Sequence, residues 1–180
     1  MTVGRWRADW ARWALGALGS LVGCSQDPQL DAWHGAIAVE TVEATAADGC
    51  DAERAPVDPP APYLFVAVDR GVPDIASLYW CDEADACGAP ADTVWLTEAL
   101  TERHLAGALT TVLPFAGLCA IEWVDVVADQ QGDPASVSLV VRSGQFEDLA
   151  LDEDDCYAYA DGVAGDVCTS VVAVSGTRVP

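Results

Sequence analysis

Six cysteines, Cys50, Cys81, Cys87, Cys119, Cys156 and Cys168, are the residues whose type and number most directly imply chemistry in this sequence. An even set in an oxidising compartment reads as three disulfides. Many pairings are open to six cysteines, but loop length favours Cys81 with Cys87 and Cys156 with Cys168, which leaves Cys50 with Cys119. The two short loops would contribute about 2.4 and about 2.9 kcal/mol in the chain-entropy view of cross-linking. A zinc centre fits poorly. The spacing from Cys81 to Cys87 exceeds that of a zinc knuckle, and the chain has only 2 histidines, His34 and His104.

Other candidate groups are weaker. Asp152-Glu-Asp-Asp155 is the densest acidic run, and calcium takes several such oxygens. Cys156 falls where a calcium loop needs its next ligand, so the run reads as a solvated acidic turn, as do Asp82, Glu83 and Asp85. No Gly-x-Ser-x-Gly elbow is present, and every thiol is assigned to a bridge or to lipid. His34, beside Trp33, and His104, after Glu102-Arg103, read as surface or strand-edge residues. No phosphate-cradling glycine loop occurs. These readings assign no catalytic residue, no metal and no cofactor.

The seventh cysteine has a different setting. A basic start with Arg5, Arg7 and Arg12 leads into the short apolar run from Trp13 to Val22, and a small residue, Gly23, precedes Cys24. That order is the one a secretory signal requires, and the run is too short to span a bilayer. Leu21-Val22-Gly23-Cys24 resembles the lipobox of bacterial lipoproteins at all four positions. The resemblance covers the leader alone. It implies removal of residues 1–23 as a signal peptide, lipid on Cys24, and a membrane-anchored place in the bacterial cell envelope. Ser25 after the cysteine implies the outer membrane by the same resemblance. Each buried acyl methylene is worth about 0.8 kcal/mol, so two or three chains anchor stably where one does not.

Charge and composition narrow the partners. The 180 residues carry 8 basic and 29 acidic side chains for a net charge of −21, and none of the basic ones is lysine. Loss of the leader, with its three arginines and Asp9, takes the net charge to −23. A field of that sign repels nucleic acid and anionic lipid headgroups, so the expected membrane partner is the lipid on Cys24 and no nucleic acid partner is expected. Hydrophobic residues make up 52% and charged ones 21% of the chain, a balance that folds.

The elements that must hold these groups read as strands. Ser136 to Arg142 alternates, with Val137, Leu139 and Val141 on one face. Similar segments are Ala36 to Ala44, Tyr63 to Asp69, Leu78 to Cys81, Leu118 to Ala128, Cys156 to Ala160 and Val167 to Val179. Turn signals separate them: Asp48-Gly49, Asp58-Pro-Pro60, Arg70-Gly71, Gln131-Gly-Asp-Pro134, Ser143-Gly144 and Asp161-Gly162. Thr93 to Val112 reads as two strands, because as a helix its apolar residues would spread around the wheel and Gly107 would interrupt it. Val94, Leu96 and Leu100 would share one face. Trp33, Trp80, Trp95, Trp123 and Phe65 lie in apolar runs and are expected in the core.

The expected fold is all-β, a small disulfide-braced antiparallel β-sandwich or β-barrel. The alternative is α+β with a helix around 93–109, kept open by the two-sided apolar run Tyr63 to Val68. Residues 24–31 would be the lipidated cysteine and a short tether, and 32–180 a single domain. Trp33-His34-Gly35 stands before the first strand in the reverse order of the lipocalin Gly-x-Trp, and membership of that family is not read from it. The expected function is that of a non-catalytic binding or structural module of the envelope. A barrel-type carrier of a small apolar ligand and a hydrolase with an unrecognised site are the alternatives.

Overall fold

A computed structural model describes residues 28–45, 50, 52–69, 71, 74–115, 118–148, 153–163 and 168–180. Residues 1–27, and with them Cys24 and the lipobox, lie outside the described residues, as do Asp48-Gly49, Arg70 and Asp152. The elements are α1 (Pro28–Trp33), β1 (Gly35–Ala44), β2 (Ala55–Pro56), β3 (Tyr63–Asp69), β4 (Ile75–Glu83), β5 (Ala86–Cys87), β6 (Asp92–Leu96), β7 (His104–Phe115), β8 (Leu118–Gln131), β9 (Ser136–Asp148), α2 (Glu153–Val163) and β10 (Ser170–Arg178). No helix among the described residues is long and apolar enough to cross a membrane.

Eight strands close a barrel. β1, β3, β4, β6, β7, β8, β9 and β10 pair antiparallel in that order, and β10 pairs back onto β1 from Ala44↔Val172 to Ile37↔Arg178. Neighbours in sequence are neighbours in space, so short connections suffice, and closure leaves no open edge. β2 and β5 are two-residue additions beside β1 and β4. The expected all-β disulfide-braced fold is therefore a barrel rather than a sandwich.

Alternation fills its interior. Leu64, Val66, Ala76, Leu78, Val94, Leu105, Val126, Ala128, Val137, Leu139 and Val174 form one buried cluster. In β1 the extra residue Glu40 shifts the register between Val39 and Thr41, which lets both Val39 and Val42 pack on this cluster. Gly107 of β7 is required by close approach: a Cβ there would stand 2.6 Å from Val94 Cγ2 and 2.9 Å from the Trp95 carbonyl oxygen. At Gly132, in the turn between β8 and β9, φ is +87°, a conformation that glycine adopts without steric cost.

Thr93 to Val112 forms the strands β6 and β7 rather than a helix, although Leu100 is buried in the loop between them instead of on β6. The two-sided run of β3 is covered on its outer face by aromatic neighbours, not a helix. His34 and Tyr79 meet Phe65 edge to face at centroid distances of 5.2 and 6.2 Å.

Several expectations are corrected, among them the turn expected at Asp161-Gly162, which lies inside α2. Cys156 to Ala160 is helical, inside α2, because Cys156 and Ala160 stand four residues apart and bury on one helical face; the alternation of Tyr157 and Tyr159 only imitates a strand. Ser143-Gly144 is no turn, since β8 and β9 pair without a break from Gln131↔Ser136 to Cys119↔Asp148 and Gly144 lies opposite Trp123. The tether expected over 24–31 stops short, because α1 begins at Pro28 and Leu30 packs on the barrel core. Trp95 is 52% exposed on the outside of β6, unlike Trp33 and Trp123, which are buried.

Candidate functional site

All six expected cysteines are paired, but two bridges differ from the expectation. Cys81 joins Cys87 across the β4–β5 hairpin, Cys119 joins Cys156, and Cys50 joins Cys168. Loop length does not decide the pairing here, because α2 intervenes. That helix lies against the outer face of β7 and β8, where Cys119, Ile121, Trp123, Cys156 and Ala160 make a second buried cluster with Val112 and Phe146. Cys156 faces this cluster, so its partner is the barrel wall at Cys119.

One end of the barrel is plugged. Trp33 of α1 is 1% exposed, and its indole Nε1 donates to the Thr101 carbonyl at 2.6 Å. Gln130, the inward-facing end of β8, is 6% exposed and donates through Nε2 to the carbonyls of Ala32 and Glu102. From the end of β10, Arg178 donates through Nη2 to the carbonyls of Asp31 and His34 at 2.9 and 2.8 Å, and its Nη1 donates to Gln130 Oε1 at 3.4 Å. Burial holds the Arg178 pKa below the usual guanidinium value. Together these side chains satisfy the carbonyls of a short helix that has few backbone partners of its own.

The other end holds an open cup of about 570 Å³. Its floor is apolar, from Leu109 and Val124, which also pack on the barrel core. Two residues further along the same inward faces come Thr111 on β7 and Glu122 on β8, paired with one another, and Ser143 on β9, which pairs with Val124. Asp92, at the start of β6 opposite the buried Leu78, completes one wall. Burial pushes its carboxyl above the usual carboxylate range. Gln145 Nε2 donates to Glu122 Oε1 at 3.4 Å. On β6, β7, β8 and β9 the inward face thus changes from aliphatic to polar toward the mouth.

A larger cleft, about 770 Å³, runs along the β4–β5 hairpin tip at Ala84 and Asp85 and the strand ends near His34, Pro134 and Val179. The Arg178 guanidinium in its wall is already engaged by carbonyls.

His34 is an exposed residue against Phe65. His104, at the start of β7, is held between Asp129 at 2.8 Å and Glu98 at 3.5 Å. The hydrogen bond that its ring N–H donates to Asp129, with the charges of Asp129 and Glu98, raises its pKa above the usual imidazole value. Asp82, Glu83 and Asp85 are exposed on the hairpin, and Asp155 is exposed on α2. Among the described residues no group of three or more His, Cys, Asp or Glu is placed to hold a metal ion. Neither the plug residues Gln130 and Arg178 nor the cup residues Asp92, Thr111, Glu122 and Ser143 stand out in the sequence as functional groups. The polar turn of the inward register at Ser143 after Val137, Leu139 and Val141 was the available signal.

Fold and site define a disulfide-braced, up-and-down antiparallel barrel, plugged at one end and open at the other. Comparison with protein-family models, curated proteins and solved structures returns no match for this chain.

Proposed function

We propose that this chain is a lipid-anchored, extracytoplasmic binding module without catalytic activity, which takes a small ligand through the open end of its barrel. The observation that carries this reading is the cup itself, about 570 Å³ set above an apolar floor inside a rigid wall. That volume lies in the range of small-molecule sites, which run from roughly 300 to 1,000 Å³ and combine an apolar lining with a few polar groups. Among the described residues the cup's lining includes carboxylates, hydroxyls and an amide but neither histidine nor thiol, which favours holding over acyl-transfer chemistry. Three disulfides suit the envelope of a bacterium, and the lipobox at Leu21 to Cys24 supplies the anchor, with residues 1–23 as the removed signal peptide and the outer membrane as the site.

Two measurements on protein extracted from the membranes of its native host test this. Intact mass should lack residues 1–23, carry acyl chains on Cys24, and show six cysteines protected until reduction. Organic extraction followed by mass spectrometry should recover a ligand in near-stoichiometric amount. A full-length mass with free thiols would remove the anchor and the compartment, an empty extract would count against the ligand, and turnover in a screen of chromogenic esters, glycosides and peptides would replace holding by catalysis.

A further inference from the structure

We infer that the ligand of the cup is a small organic cation, an ammonium group on an apolar body, seated between Asp92 and Glu122. The inference rests on the binding role proposed above and specifies its chemistry.

Three features of the cavity point the same way. First, its two ionisable side chains are both acids. Among the described residues no basic one lines it, and Arg142 on the neighbouring β9 faces outward toward Asp125 at 4.0 Å. Second, Asp92 is half-buried, and a carboxylate taken out of water is stabilised only by a positive charge or by hydrogen-bond donors. A bound ammonium would supply both.

Third, the acids stand directly above an apolar floor, since Glu122 is the next inward position after Val124 and pairs with Thr111, itself the next after Leu109. A ligand filling both levels therefore needs a cationic head and an apolar body. The hydroxyls of Thr111 and Ser143 accept the remaining ammonium protons. A bare metal ion fits less well, because hard divalent cations take six or more oxygens and no group of three potential ligands is assembled among the described residues. An anionic ligand would meet both carboxylates and the net charge of −21.

The test uses the full chain with its disulfides intact, in detergent, and three probes that share one body: phenethylamine, 2-phenylethanol and 3-phenylpropanoate. Calorimetry reads affinity. The amine should bind at least about tenfold more tightly than the alcohol, which corresponds to about 1.4 kcal/mol, and the carboxylate should bind most weakly. In Asp92→Asn and in Glu122→Gln the preference for amine over alcohol should shrink to about twofold. Glu122 is exposed, so its variant folds even if the half-buried Asp92 does not tolerate change. Equal binding of amine and alcohol, or an undiminished preference in both variants, overturns the inference while leaving a binding cup. Binding by none of the three probes overturns the inference and the binding role together.

Discussion

The indole of Trp33 donates its N–H to the backbone carbonyl of Thr101, 68 residues away in sequence, and so ties α1 to the loop between β6 and β7. Thr101 is itself fixed, because its hydroxyl accepts from the backbone N–H of His104 at 2.9 Å and of Arg103 at 3.2 Å. The base of the barrel is thus a joint between the first helix and a hairpin loop.

Replacement of Trp33 separates the two parts of that joint. Trp33→Phe keeps most of the buried surface and loses the hydrogen bond, at a cost of about 1 kcal/mol plus the penalty of leaving a carbonyl without its donor. Trp33→Ala opens a cavity and should cost about 3–5 kcal/mol. Urea unfolding followed by circular dichroism checks both, and equal costs would mean that the ring's packing is unimportant.

His104 gives the stability a pH dependence of known sign. Its folded pKa is raised above the unfolded value of 6.5 by Asp129 and Glu98. The stabilisation is therefore full below that unfolded value and is lost as pH rises through the folded one. Melting temperature followed upward from pH 6 should fall across this window in the native chain and fall less in Asp129→Asn. Proton NMR should show His104 titrating above the ordinary imidazole range, and should show that shift reduced in the variant.

Asp92 acts in the opposite sense to a salt-bridged acid. Burial raises its folded pKa above 3.8, so ionisation opposes folding, and the contribution is lost as pH rises from 3.8 through the folded pKa. Asp92→Asn should therefore raise the melting temperature at neutral pH, with the gain disappearing at and below the unfolded carboxyl pKa. A variant that melts lower than the native chain at neutral pH would show that a cation or donor already satisfies this carboxylate.

The bridges should open in order of exposure. Cys119 and Cys156 are both fully buried, whereas Cys50 and Cys87 are exposed. Graded reduction with alkylation should leave the Cys119–Cys156 link until last, and a non-reduced peptide map should show Cys50 with Cys168. With a sequence separation of 37 between the cysteines, removing Cys119–Cys156 by a double alanine substitution should cost up to about 3.8 kcal/mol. Early loss of this link on reduction would contradict its burial under α2.

Much of the barrel was legible because its strands obey the two-residue period. Tyr63 to Asp69 is a strand with both ends where the alternation puts them, and Val137, Leu139 and Val141 share one face, which is the interior. Where the reading failed, a tertiary contact overrode a local pattern. Cys156, Tyr157, Ala158, Tyr159 and Ala160 alternate as a strand does, yet burial of Cys156 and Ala160 on the barrel wall requires a helix. Ser143-Gly144 has the composition of a turn, but β8 continues beside it. The cup was illegible for a different reason: Asp92, Glu122 and Ser143 come from three strands, and only closure of the barrel brings them together.

The short helix that seals the base also sets a direction. Three residues lie between Cys24 and Pro28, so the span from one to the other reaches at most about 14 Å even when fully extended. If Cys24 carries lipid, the sealed base rests on the bilayer and the acidic mouth opens away from it, toward the aqueous space. Solutes would then reach the cup by diffusion from that space rather than laterally out of the lipid, which would separate this protein from a carrier that extracts its cargo from the membrane to which it is attached.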